Sequence, residues 1–147
     1  MQKTEKEMTR TELKKQLLDA GIRPSAQRLA IYEFVKSTKV HPTAEVVYSA
    51  LRDELGSLSL TTVYNTLKLF VDAKLVTMLN IDETFRCFDG DISLHAHFRC
   101  DSCGKIFDLE LKEGFLSMVK GIENFGINDI QLYLKGCCLD CKNSKKD

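Results

Sequence analysis

The chain has 147 residues, 44% of them hydrophobic, and its 21 basic and 21 acidic side chains give a formal net charge of zero. That length and apolar content suit one compact domain or two small ones. The balanced charge excludes a globally basic nucleic-acid binder, so any DNA-binding face has to be local. No run of about 18 apolar residues occurs, and Met1 to Arg10 is polar, so neither membrane insertion nor export is expected and a cytoplasmic chain with reduced thiols follows.

From Thr11 to about Lys74 the apolar residues recur at helical spacing in four blocks, separated by Gly-Ile-Arg-Pro, Val-His-Pro-Thr and Gly-Ser-Leu-Ser. The first predicted helix covers Thr11 to Ala20 and buries Leu13, Leu17 and Leu18, with Gly21 as a left-handed C-terminal cap. The second opens on Ser25 as N-cap and carries Leu29, Ile31, Tyr32, Phe34 and Val35. Thr43 caps the third, Pro42 biases His41 towards an extended backbone, and Val46, Val47, Tyr48 and Leu51 supply the inner face. The fourth starts near Ser59 or Thr61. It turns Leu60, Val63, Leu67, Phe70 and Val71 inward, which leaves Thr62, Tyr64, Asn65 and Lys68 on or beside the outer side.

Two short strands, Leu75 to Ile81 and Phe85 to Phe88, then flank the turn Asp82-Glu83-Thr84. Helices followed by a hairpin is the order of a winged helix-turn-helix, and the expected fold class is α+β, with that domain over residues 1–90. Residues 91–147 read as a small α/β unit. Its expected parts are strands near His97 to Arg99, Lys105 to Leu111 and Asp129 to Leu134, a helix over Glu113 to Phe125, and a disordered Lys-rich end from Lys142 to Asp147.

The chemistry is concentrated in this second half. Cys100 and Cys103, with Cys138 and Cys141, form two Cys-x-x-Cys turns, each of which aims both sulfurs at one point, as tetrahedral zinc requires. Cys137 competes with Cys138 for one place. A closed four-thiolate site staples a fold and leaves no position for an activated water. The chain also lacks the His-x-Glu and Pro-Cys-x-x-Cys pairing of zinc nucleobase deaminases, so an enzyme is not expected. His95 and His97, two apart, share one face of a strand. With Asp89 and Asp108 they offer two imidazoles and two carboxylates, suited to iron, manganese or zinc, although spacing alone leaves exposed polar residues as the alternative. His41, by itself, reads as a solvated loop histidine.

Taken in order, Gly21-Ile22-Arg23-Pro24-Ser25-Ala26-Gln27-Arg28, His41-Pro42-Thr43-Ala44, Thr62-Val63-Tyr64-Asn65-Thr66-Leu67, His95-Ala96-His97 and both cysteine pairs with Cys103-Gly104-Lys105 resemble the ferric uptake regulator (Fur) superfamily of bacterial metal-dependent repressors. The resemblance runs from about Leu13 to Cys141. It implies a homodimer whose winged helix binds a palindromic operator in double-stranded DNA and whose C-terminal unit dimerises and holds structural zinc. It also implies a regulatory Fe2+ or Mn2+, with Zn2+ as an alternative, held by His41, Asp89, His95, His97 and Asp108. Aspartate at positions 89 and 108, and Asn65, look like the peroxide-sensing subgroup, in which iron-driven oxidation falls on the residues matching His41 and His95. Cys87, on the strand face of Asp89, keeps zinc sensing open, and iron-uptake control is the further alternative. A third metal site of the family is expected to be missing, because Ser93-Leu94 and Asn128-Asp129-Ile130-Gln131 lack its histidines. On the DNA side the resemblance assigns Thr62, Tyr64 and Asn65 to the major groove, with Arg23, Arg28 and Lys68 on phosphates. Arg28 has packing on helix two as its alternative role.

Overall fold

The computed structural model describes residues 8–82 and 84–145, and these divide into two compact units at Ile92 and Ser93. Glu83 of the anticipated hairpin turn and the last two residues of the Lys-rich end lie outside the described residues.

The first unit holds four helices, α1 (Arg10–Asp19), α2 (Ala26–Ser37), α3 (Ala44–Leu51) and α4 (Leu60–Asp72), followed by strands β1 (Thr77–Leu79) and β2 (Cys87–Asp89). Each helix begins where a side-chain oxygen meets an orphan amide: Thr9, Ser25, Thr43 and Ser59 accept from the backbone N–H groups of Glu12, Arg28, Val46 and Thr62. Gly21 follows α1 at φ 76, the left-handed exit that glycine makes without a Cβ penalty. One core joins Leu13, Leu17, Ile31, Tyr32, Val35, Val47, Val63, Leu67 and Phe70 with Phe88 of β2. Two inward assignments fail: Leu18 is 56% exposed and Val46 47% exposed. Three or four core positions saturate the buried stripe of a short helix, and the next apolar residue falls outside it. Thr66 takes a buried place on α4 instead.

β1 and β2 pair antiparallel, Thr77 opposite Asp89 and Leu79 opposite Cys87. These strands are shorter than the apolar runs that announce them. Phe88 N–H also donates to Pro42 O at 2.9 Å, which ties β2 to the segment entering α3.

In the second unit, β3 (Ala96–Cys100) lies between β4 (Ile106–Leu109), antiparallel to it, and β5 (Leu132–Gly136), parallel to it, and α5 (Leu139–Ser144) closes the described chain. Three expectations are corrected here. Residues 113–125 do not form an α-helix; they hold two 3-10 turns, Phe115–Met118 and Ile122–Asn124, each entered through a glycine at positive φ, Gly114 and Gly121. These glycines interrupt the helical path, and Met118 and Phe125, 81% and 72% exposed, find no surface in the unit that would reward a continuous amphipathic helix. The last strand sits further along than Asp129 to Leu134, because its pairing with β3 sets Leu132 against Ala96 and Gly136 against Cys100. Within the Lys-rich end, Lys142 to Ser144 belong to α5 rather than to a disordered tail.

Candidate metal centres and nucleic-acid face

The four-cysteine cluster grows from backbone geometry. After Cys100 the chain reverses through Cys103 and Gly104, the latter at φ 74, with Gly104 N–H donating to Cys100 O at 2.8 Å and Cys100 N–H to Lys105 O at 2.9 Å. The second pair enters from β5, where Asp101 N–H donates to Gly136 O at 2.7 Å. Cys138 then caps α5 and Cys141 sits in its first turn. The Sγ atoms of Cys100, Cys103, Cys138 and Cys141 all lie within 4.8 Å of one another, and Cys103 and Cys138 stand 3.9 Å apart. A zinc tetrahedron with bonds of about 2.3 Å has edges of about 3.8 Å, so the donor set fits that ion. Cys138 N–H donates to Cys100 Sγ at 3.3 Å. With the Cys103 amide it draws the Cys100 thiol down to about 5, whereas Cys138 beside Cys141 pushes the latter up to about 12. Cys137 points elsewhere, its sulfur 3.8 Å from Ser102 Oγ.

A second donor set in this unit comes from the start of β3 and from β4. Antiparallel register puts His97 opposite Asp108. His95 Nε2 and His97 Nε2 are 3.0 Å apart, and Asp108 Oδ1 lies 3.3 Å from His97 Nε2 and 3.5 Å from His95 Nε2. His95 Nδ1 faces Ser93 O at 2.7 Å, which directs Nε2 towards the other two. Metal–ligand bonds near 2.1 Å give donor–donor edges of about 3.0 Å in an octahedron and 3.4 Å in a tetrahedron, so the spacing of these three atoms is compatible with one face of a coordination polyhedron. Two histidines and one carboxylate on one face, with other positions left over, is the arrangement of non-haem ferrous sites.

In the first unit, His41 Nε2 and Asp89 Oδ2 are 3.5 Å apart, and both residues are buried. His41 is therefore not a solvated loop residue. Nor is it extended as Pro42 would favour: its φ is 51. Capping of α3 by Thr43 and the Phe88–Pro42 backbone bond fix the chain immediately after it, and tertiary constraint overrides the local preference. Cys87 is also buried on β2.

The sequence model of the Ferric uptake regulator family matches residues 19–135. The chain belongs to this family.

Its members are metal-responsive transcriptional regulators, which bind DNA and are typically dimeric. The peroxide-responsive repressor PerR of Staphylococcus aureus strain Mu50 is 31% identical over 129 residues, covering 86% of this chain and 87% of that one. A Streptococcus pyogenes PerR structure, described as a basis for peroxide sensing and gene regulation, is 28% identical at a TM-score of 0.52 and covers 90% of this chain and 92% of its own. The ferric uptake regulator of Pseudomonas aeruginosa with manganese is 27% identical at a TM-score of 0.72, with 90% and 99% covered.

On α4 of this Fur-family chain, Thr62, Tyr64, Asn65 and Lys68 occupy the face away from the core stripe of Val63, Thr66, Leu67 and Phe70. Thr62 shares a hydrogen bond with Ser59 Oγ at 2.8 Å, and Lys68 pairs with Asp72 at 3.0 Å. Arg23 is exposed. Arg28 donates to Arg23 O at 2.9 Å, a bond that braces the entry to α2. Sequence reading missed Glu45, whose carboxylate accepts from Tyr64 Oη at 2.5 Å, lowering the Glu45 pKa and raising that of Tyr64. The two belong to different helices, and no local pattern links them.

Proposed function

We propose that this Fur-family chain is a peroxide-sensing, metal-dependent repressor that binds a palindromic DNA operator as a homodimer. In this reading, residues to about 90 contact DNA, and the remainder dimerises and is braced by structural zinc on Cys100, Cys103, Cys138 and Cys141. One regulatory ion is held jointly by His41, Asp89, His95, His97 and Asp108, so that it couples the two halves of the chain and selects the form that binds DNA.

The observation that carries the reading is the His95, His97 and Asp108 triad, which suits ferrous iron and leaves positions for further ligands. His41 and Asp89, already paired and buried, supply two. A ferrous ion held by these residues would supply redox catalysis, by which the two oxidising equivalents of peroxide are delivered to a nearby ligand with no net change in the iron. In this reading the imidazole of His41 or His95 is the group oxidised: a ring C–H would gain one oxygen atom of peroxide, and the other would leave as water. An oxidised imidazole is a poor ligand, so the coupling of the two halves is lost and the repressor leaves DNA. Manganese held by the same residues would support DNA binding without that redox chemistry. Mass spectrometry of the iron-loaded protein after dilute peroxide is expected to find one added oxygen on a peptide containing His41 or His95. Oxidation confined to cysteines would refute peroxide sensing by this route.

A second reading, zinc sensing, is favoured by the buried thiol of Cys87 two residues from Asp89. It predicts zinc-triggered operator binding that fails in Cys87→Ser, an outcome the peroxide reading does not share.

A further inference from the structure

Immediately after β2 the chain makes a turn, Asp89-Gly90-Asp91, pinned to the end of α2. Asp91 N–H donates to Asp89 Oδ1 at 2.9 Å, while Oδ2 is the oxygen facing His41 at 3.5 Å. Gly90 lies so close to α2 that a Cβ built on it would stand 2.5 Å from Val35 O and 2.9 Å from Lys36 Cα, backbone atoms that cannot rotate away. From the last turn of α2, Lys36 Nζ then donates to Gly90 O at 2.6 Å, with its ammonium 5.7 Å from the centre of the Tyr32 ring. Burial opposes the charge on Lys36, and the carboxylates of Asp91 and Asp89 support it. A surface lysine serving only the α2 dipole would stay in water; this one is drawn inward onto a single carbonyl.

We infer that Lys36 and Gly90 form a latch that presets the Asp89 turn for a divalent cation, which makes Lys36 a positioning residue for metal affinity. The inference rests on the reading of Asp89 as a ligand. The physical reason is preorganisation: a ligand carboxylate whose turn is already pinned loses less freedom when the ion arrives; a partner bonded directly to a ligand is worth about 10- to 100-fold in metal affinity, and Lys36, one bond further out on the Gly90 carbonyl, contributes less. Replacing lysine by methionine keeps an apolar stem beside Tyr32 and removes the donor together with its positive charge; losing that charge would by itself favour a cation at Asp89, so a weakened affinity reports the lost bond.

The test is a manganese(II) titration of the zinc-loaded full-length protein, with free manganese read by electron paramagnetic resonance, for wild type, Lys36→Met, Lys36→Arg, Gly90→Ala and Asp89→Ala. The latch predicts that Lys36→Met raises the manganese Kd roughly three- to tenfold, below the effect of a partner bonded directly to a ligand. Lys36→Arg should restore most of the affinity, and the thermal midpoint of the manganese-free protein should be unchanged in Lys36→Met. Gly90→Ala, if it folds, should weaken manganese at least as much. If Asp89→Ala binds manganese like wild type, both the ligand reading and the latch fall. If Asp89→Ala is weakened but Lys36→Met is not, the latch alone is overturned. A Lys36→Met that loses thermal stability and keeps its manganese affinity is a fold anchor only, and likewise overturns it.

Discussion

At His41 the backbone sits at φ 51, a conformation that costs a non-glycine residue roughly 1 to 3 kcal/mol. The residue so held is buried, and its Nε2 faces a carboxylate. Strain kept at a side chain proposed as both ligand and oxidation target fits a site shaped for function rather than for stability. Tyr32 illustrates the opposite economy. It is 1% exposed, and its hydroxyl donates to Gln16 Oε1 at 2.6 Å. Burial pushes its pKa from 10.0 to about 12. Between those values the unfolded phenol is ionised while the folded one keeps its proton, so the unfolded chain binds fewer protons and stability falls as pH rises. The full difference of two units corresponds to about 2–3 kcal/mol. Urea titrations across that alkaline range should therefore show a decline that Tyr32→Phe largely abolishes, at the expense of about 1 kcal/mol at neutral pH for the lost hydrogen bond. An identical alkaline slope in both proteins would remove Tyr32 as its source.

Among the elements, α4 carries the DNA prediction. Its buried stripe fixes its rotation, so Tyr64 and Asn65 are presented together on the outer side. Tyr64→Ala or Asn65→Ala should cost about 1–3 kcal/mol of operator affinity with relaxed sequence preference, whereas Arg23→Ala should weaken all sequences alike and reduce the salt slope by about one. Anisotropy titrations on operator and scrambled duplexes separate the two. The helices were legible in the sequence because their signals are local: Ser25, Thr43 and Ser59 cap where an orphan amide follows, and Gly21 stops α1. Residues 113–125 were not, since their apolar spacing looks helical while Gly114 and Gly121, at positive φ, break it. The cysteine cluster was readable from its two turns. The strained backbone of His41, the Lys36–Gly90 bond and the Glu45–Tyr64 contact depend on residues far apart in sequence, which no periodicity encodes.

At the scale of the whole molecule, the two units differ in what stabilises them. The first has a continuous apolar core. In the second, only Ala96, His97 and Cys100 are buried among the described residues, and Phe107, Leu109, Met118, Phe125, Ile127 and Leu134 are exposed. A unit of this size with so little interior needs a staple, a partner or both, which accords with zinc on four thiolates and with a dimer. If the proposed zinc and dimer are present, stripping the metal with a strong chelator, or Cys103→Ser, should therefore melt the second unit and dissociate the proposed dimer while the helical signal of the first persists; retention of a dimer after metal removal would argue against the staple. The central claim, that one ion held by both halves switches DNA binding, is tested most directly by operator affinity as a function of manganese, in zinc-loaded wild type and in His41→Asn. Asparagine tolerates the left-handed backbone, so this variant removes the imidazole while sparing the fold. The expected result is tight, manganese-dependent binding by wild type and none by His41→Asn at the same manganese. Operator binding by wild type without any added divalent metal, or an undiminished manganese response in His41→Asn, would contradict it.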